Sequence, residues 1–146
     1  MDTAPKGHIL IVDDDKGILF LVSRMLKKLG YETTTAQDGL EALEKTESQG
    51  SFDFVLTDIH MPAMDGWELA LRIKERNPTL PVAALTGDVP EYIGPRLEGS
   101  GICHVFYKPM DLNEFEEVVP GVMSGSIGAA PPTNGIATVS RRTKAL

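Results

Sequence analysis

Four short apolar runs, HILIV at 8–12, FDFVLT at 52–57, PVAAL at 81–85 and CHVFY at 103–107, punctuate this chain, and helix-period segments fill the spaces between them. After the first run, Ile18, Leu19, Val22, Met25, Leu26 and Leu29 recur at three- and four-residue steps and Gly30 follows as a stop, which predicts a helix over about 16–29. YETTTA at 31–36 reads as a further strand, and Asp38 can cap a second helix that carries Leu40 and Leu43. Trp67, Ala70, Leu71 and Ile73 give a third helix before Pro78, and a short fourth helix follows Asp88. Leu112, Phe115 and Val119 give a fifth, stopped by Pro120. Strands alternating with helices in this way fold as an open α/β parallel sheet with helices on both faces.

Such a sheet binds ligands at the carboxyl ends of its strands, and the chain's chemically able side chains fall there. Asp13 and Asp14 end the first run, Asp58 ends FDFVLT, Thr86 ends PVAAL, and Lys108 follows CHVFY. Three carboxylates suit magnesium, which takes oxygen ligands and is commonly held by one or two carboxylates plus phosphate oxygens. Asp14 and Asp58 are the candidate direct ligands and Asp13 the candidate to act through water, an assignment within the pair that the spacing leaves open. Asp58 is also the candidate nucleophile, since a carboxylate can attack a phosphoryl group and form an acyl phosphate. Lys108 would neutralise phosphoryl charge, Thr86 would donate a hydrogen bond to the product, and Gly87 leaves the approach open.

Charge and composition narrow the class. At 146 residues the chain suits one domain, and its single cysteine, Cys103, permits no intrachain disulfide. Residues 1–119 hold 11 basic and 21 acidic side chains, an acidic surface unsuited to direct nucleic-acid binding. No apolar run approaches the roughly 18 residues of a membrane span, and the N-terminus lacks a signal-peptide layout, so the expectation is a cytoplasmic protein without membrane contact. From residue 120 to 146, Gly, Pro, Ser, Thr and Ala predominate. The expected organisation is an N-terminal extension at 1–7, one domain at 8–119 and a flexible tail at 120–146.

Through IVDDD, TDIHMPAMDG, ALTGD and YKP, residues 8–119 resemble the receiver domain of two-component response regulators. The resemblance implies a flavodoxin-like five-stranded parallel sheet of order 2-1-3-4-5, the order for which a chemotaxis regulator of this family is a standard example. It further implies Asp13 and Asp14 as the acidic pair, Asp58 as the phosphorylation site, Thr86 as the switch hydroxyl and Lys108 as the family's lysine. The His60 backbone carbonyl would be a further Mg2+ ligand, and Lys108-Pro109 a cis peptide. The implied partners are a histidine kinase or histidine phosphotransfer protein as donor and a downstream protein as receiver of the signal.

Three departures from the family lie on one side of the domain. The aromatic switch position, three residues before Lys108, is Val105; Tyr107 shares its strand parity and reads more simply as a half-buried strand aromatic. Gly94-Pro95 falls inside the fourth helix, which should be short, kinked or mobile, and Asp111 to Pro120 leaves little room for the fifth. A different partner surface, or weaker dimerisation through this one, is expected; sedimentation after phosphorylation tests it.

Plainer readings apply elsewhere. Asp15 and Asp65 are helix caps, Met61, Pro62 and Gly66 shape a loop, Cys103 packs, His8 and His104 lack zinc spacing, and Trp67 is partly buried helix surface. His60 and Asp88, each two residues past a strand end, could touch the water that hydrolyses an acyl phosphate. Two other functions compete. A metal-dependent aspartyl-phosphate phosphatase would want a second acid two residues after Asp58, where His60 stands; a docking module independent of phosphorylation is favoured by Val105 and the disrupted fourth helix but not by the intact acidic set and Lys108. No GxGxxG or GxxxxGK[ST] follows the first strand, which makes a nucleotide-binding protein the weakest of the readings.

Overall fold

The structure, a computed structural model, describes residues 4–48 and 51–125. Five strands alternate with five helices: β1 His8–Val12, α1 Lys16–Lys28, β2 Glu32–Ala36, α2 Gly39–Ser48, β3 Phe54–Asp58, α3 Gly66–Arg76, β4 Val82–Thr86, α4 Pro90–Leu97, β5 Ile102–Tyr107 and α5 Leu112–Ser124. All strand pairs are parallel and the sheet order is β2-β1-β3-β4-β5, as the resemblance implied.

Strand parity sorts the core into two layers. Leu10, Val12, Val55, Val82, Ala84 and Val105 face α2, α3 and α4, where Leu43, Leu69, Ile73, Ile93 and Leu97 meet them. Ile9, Ile11, Phe54, Leu56, Leu85 and Phe106 face α1 and α5, packing on Leu19, Val22, Leu26, Phe115, Val119 and Val122. β1, β3 and β4 are therefore continuous apolar runs, buried on both sides. The edge strand β2 is different: its three threonines are half-buried, with Thr34 bonded to His8 Nε2 at 2.7 Å and Thr33 to Ser23 at 2.6 Å.

β5 carries an irregularity. Val82 pairs with Ile102 but Ala84 pairs with Val105, so Cys103 and His104 together oppose Ala83. A bulge of this kind re-aims side chains. It turns His104 inward, its ring 4.7 Å from that of Phe106, while Val105 and Tyr107 keep the opposite face.

The expected caps are present. Asp15 accepts from the Gly17 and Ile18 amides, Asp65 from Glu68, and Asp38 from Glu41. The Lys108-Pro109 peptide is cis. α4 is short at eight residues, has Pro95 inside it, and no side chain bonds its first turn.

Two expectations are corrected. The fifth helix does not stop at Pro120 but continues to Ser124, where Gly125 closes it at φ 84°. Pro120 sits on the exposed side, so its missing N–H costs a bond that water can replace, while Val119 and Val122 on the buried side are completely enclosed. Burying two valines gains roughly 3–6 kcal/mol, against about 3 kcal/mol for proline in a helix. Residues 120–125 thus belong to the folded body; the expected flexible tail from 126 onward, and residues 1–3 of the expected extension, lie outside the described residues. Trp67 is buried, not partly exposed, because it packs among the α2 to α4 residues and the Arg96 guanidinium of α4 lies 4.5 Å over its ring.

Candidate functional site

The carboxyl ends of β1 and β3 lie side by side, and three acids leave them together. Carboxylate oxygens of Asp13, Asp14 and Asp58 come within 4.8 Å of one another. Asp58 is the last residue of β3 and is buried; its Oδ1 accepts from the Ile59 N–H at 2.9 Å. Asp13 is also buried and accepts from the Asp15 N–H at 2.9 Å, whereas Asp14 is exposed. Among the described residues one ammonium answers the three acids: Lys108 Nζ lies 3.4 Å from Asp13 and 3.6 Å from Asp58. Lys108 is held there through its backbone, whose N–H donates to the Thr86 carbonyl at 2.8 Å.

Electrostatics follow from this imbalance. Burial pushes the Asp13 carboxyl up to about 6, and the Asp58 charge adds to the rise, while the Asp15 amide and Lys108 oppose it. Asp58 is raised as well, chiefly by burial and further by Asp14, against the pull of Lys108, the Ile59 amide and His60. Raised carboxyls beside the Lys108 ammonium mark a pocket short of positive charge among the described residues.

The loop after β3 is pressed onto the site. Gly66 donates to the Ile59 carbonyl at 2.8 Å, and a Cβ on Gly66 would stand 2.3 Å from the Asp58 carbonyl oxygen. Glycine is thus required for the loop to close over Asp58. Ala63, in the same loop, holds φ 68°. At Gly87, by contrast, a Cβ would meet nothing within 4 Å, so that side of the site is open.

Of the residues singled out in the sequence, Asp13, Asp14, Asp58 and Lys108 form one cluster. Thr86 is fully buried at the end of β4, and its Oγ1 accepts from the Asp88 N–H at 3.1 Å. The His60 side chain turns outward and its Nε2 meets Asp88 Oδ2. That contact across two loops was not foreseen, although the matching positions two residues beyond Asp58 and Thr86 were its signal. Burial pushes the Cys103 thiol up to about 11, which suits a packing residue rather than a nucleophile. Among the described residues, the three aspartates are the one His, Cys, Asp or Glu cluster with metal-ligand spacing, and no helix is long and apolar enough to cross a membrane.

A family model, the response regulator receiver domain, matches residues 9–120, and the chain belongs to that family. Among curated proteins it is 36% identical over 108 residues to the sensor protein EvgS of Escherichia coli K12, covering 74% of this chain and 9% of that protein. It is 34% identical over 119 residues to the DNA-binding transcriptional regulator NtrC of the same organism, covering 82% of this chain and 25% of that protein. The chain thus corresponds to a quarter or less of the length of these relatives. Among solved structures, chemotaxis response regulator CheY4 of Vibrio cholerae superposes with a TM-score of 0.72 at 30% identity, covering 82% of this chain and 99% of that one. Response regulator TrrA of Thermotoga maritima, solved with Mg2+ and BeF, gives 0.70 at 32% identity, covering 80% and 98%. A receiver of two-component signalling is what the fold and these likenesses define.

Proposed function

We propose that Asp58 accepts a phosphoryl group from the phosphohistidine of a histidine kinase or histidine phosphotransfer protein in the cytoplasm. The carrying observation is Asp58 at the end of β3, with Lys108 3.6 Å away and two further carboxylates beside it. An Asp58 oxygen attacks phosphorus; the bond from phosphorus to the imidazole nitrogen breaks, and its electron pair stays on that nitrogen, which takes up a proton. Lys108, already between Asp13 and Asp58, is placed to meet the phosphoryl oxygens as charge shifts toward Asp58. The three carboxylates with a single ammonium suit a hard dication, and Asp13, Asp14, Asp58 and the His60 carbonyl would hold Mg2+. Bound there, the ion would neutralise carboxylate and phosphoryl charge.

Thr86 then gives the signal. Its hydroxyl would turn from the Asp88 amide to a phosphoryl oxygen and carry the β4–α4 loop with it, shifting a two-state equilibrium read by a downstream protein. The domain acts on itself alone, forming and losing its own acyl phosphate without turning over other substrates. Intact mass after incubation with acetyl phosphate tests this: one phosphoryl adduct, requiring Mg2+, is expected on wild type and none on Asp58→Asn. An equal adduct on both proteins, or none on either, would contradict it.

A further inference from the structure

Across the mouth of the site, one contact joins two side chains that the phosphoryl chemistry leaves unused. His60, two residues past Asp58, reaches across to Asp88, two residues past Thr86, and its Nε2–H donates to the Asp88 carboxylate. Asp88 is at the same time the partner of Thr86, because its backbone N–H donates to Thr86 Oγ1 at 3.1 Å. The chain of contacts therefore runs from the loop over Asp58, through the Asp88 side chain and backbone, to the hydroxyl that has to move. The far loop is otherwise lightly held: a Cβ at Gly87 would meet nothing within 4 Å, and Val89 at the start of α4 makes no side-chain cap and is exposed.

From this geometry we propose that His60 and Asp88 form a latch, a pair of positioning residues that holds Thr86 on the Asp88 amide while Asp58 carries no phosphoryl group. The inference rests on the phosphoacceptor reading and adds the regulation of that same site. When Thr86 leaves Asp88 for a phosphoryl oxygen, the β4–α4 loop must move relative to the β3–α3 loop, and the His60 contact resists that movement. The His60 side chain is 69% exposed and that of Asp88 31%, so the pair is a solvated one of modest strength. Modest strength suits a latch, which has to bias the loop without fixing it.

A phosphoryl mimic reads the bias at equilibrium. The affinity of the full chain for beryllium fluoride in saturating Mg2+, followed by amide NMR shifts, is compared among wild type, His60→Ala, Asp88→Ala and the double variant. Each single change is expected to tighten binding two- to fivefold, and the double change to tighten it no further than either single one. His60→Gln, whose amide can still donate to Asp88, is expected to return the affinity to near the wild-type value, which a merely structural role for the ring would not do. Should Asp88→Ala fail to fold, Asp88→Leu, of similar branched shape but with no acceptor for His60, takes its place, with tightening expected in the same direction. Unchanged or weaker binding by the single variants, or effects that multiply in the double variant, would overturn the latch while wild-type binding leaves the phosphoacceptor reading standing. Wild type that binds no beryllium fluoride would overturn both.

Discussion

Asp13 shows what the acidic cluster costs the fold. Its carboxyl is raised from an ordinary 3.8 to about 6, mainly by burial, so the folded chain holds the proton over a range where the unfolded chain has lost it. The contribution to stability is complete below the unfolded value and is lost as pH rises through the folded one. The metal-free protein should therefore become less stable between about pH 4 and 6 through this group, by about 1–3 kcal/mol, since a tenfold change in proton affinity is worth roughly 1.4 kcal/mol. Asp13→Asn should recover most of that loss at pH 7 in chelator and little of it at pH 4, measured by urea unfolding. An equal effect at both pH values would remove Asp13 as the source. The residues of the cluster were legible in the sequence because each stands at the end of an apolar run, where a parallel sheet gathers its side chains. The contact of His60 with Asp88 was not, because it depends on how two loops fold back, and no periodicity encodes that.

At the scale of elements, α4 and α5 make an instructive pair, since both contain a proline. α5 tolerates Pro120 because Phe115, Val119 and Val122 are buried against Phe106 and its neighbours over 13 residues. α4 has eight residues, Ile93 and Leu97 as its buried anchors, Pro95 in its interior and no side-chain cap. A helix so short depends on packing and opens cheaply. Its amides should lose hydrogen-exchange protection faster than those of the other four helices, and Pro95→Ala, which restores a donor, should slow the exchange several-fold. Protection of α4 equal to that of α1 would refute this. The shortness of α4 was readable from Gly94-Pro95, while the extent of α5 was not. A proline rule weighs one backbone bond, and here the burial of residues on the opposite side of the helix outweighed it. The burial of Trp67 escaped for a similar reason: its cover comes from Arg96 on another helix.

The whole molecule joins these parts into one device. A sheet buried on both faces fixes Asp58 and Lys108 at its carboxyl edge, the Gly66 loop closes over one side, and the loop leading to the weakly held α4 lies on the other. A fixed site beside a short helix with few anchors is the arrangement the proposed switch requires. The order of the sheet was legible through the resemblance, and alternation alone led only to a parallel α/β sheet. Val105, buried at 2% exposure on β5, supplies no aromatic ring at that position, and in the proposed switch the Thr86 loop and α4 would carry the signal. All of this depends on the phosphoryl group arriving at one carboxylate. The most direct measurement is to treat the protein with acetyl phosphate and Mg2+, reduce the acyl phosphate with borohydride, which converts the phosphorylated aspartate to homoserine, and map the peptides by mass. Homoserine at position 58 and at no other aspartate is the predicted result; homoserine at Asp13 or Asp14, or at none, would contradict the account.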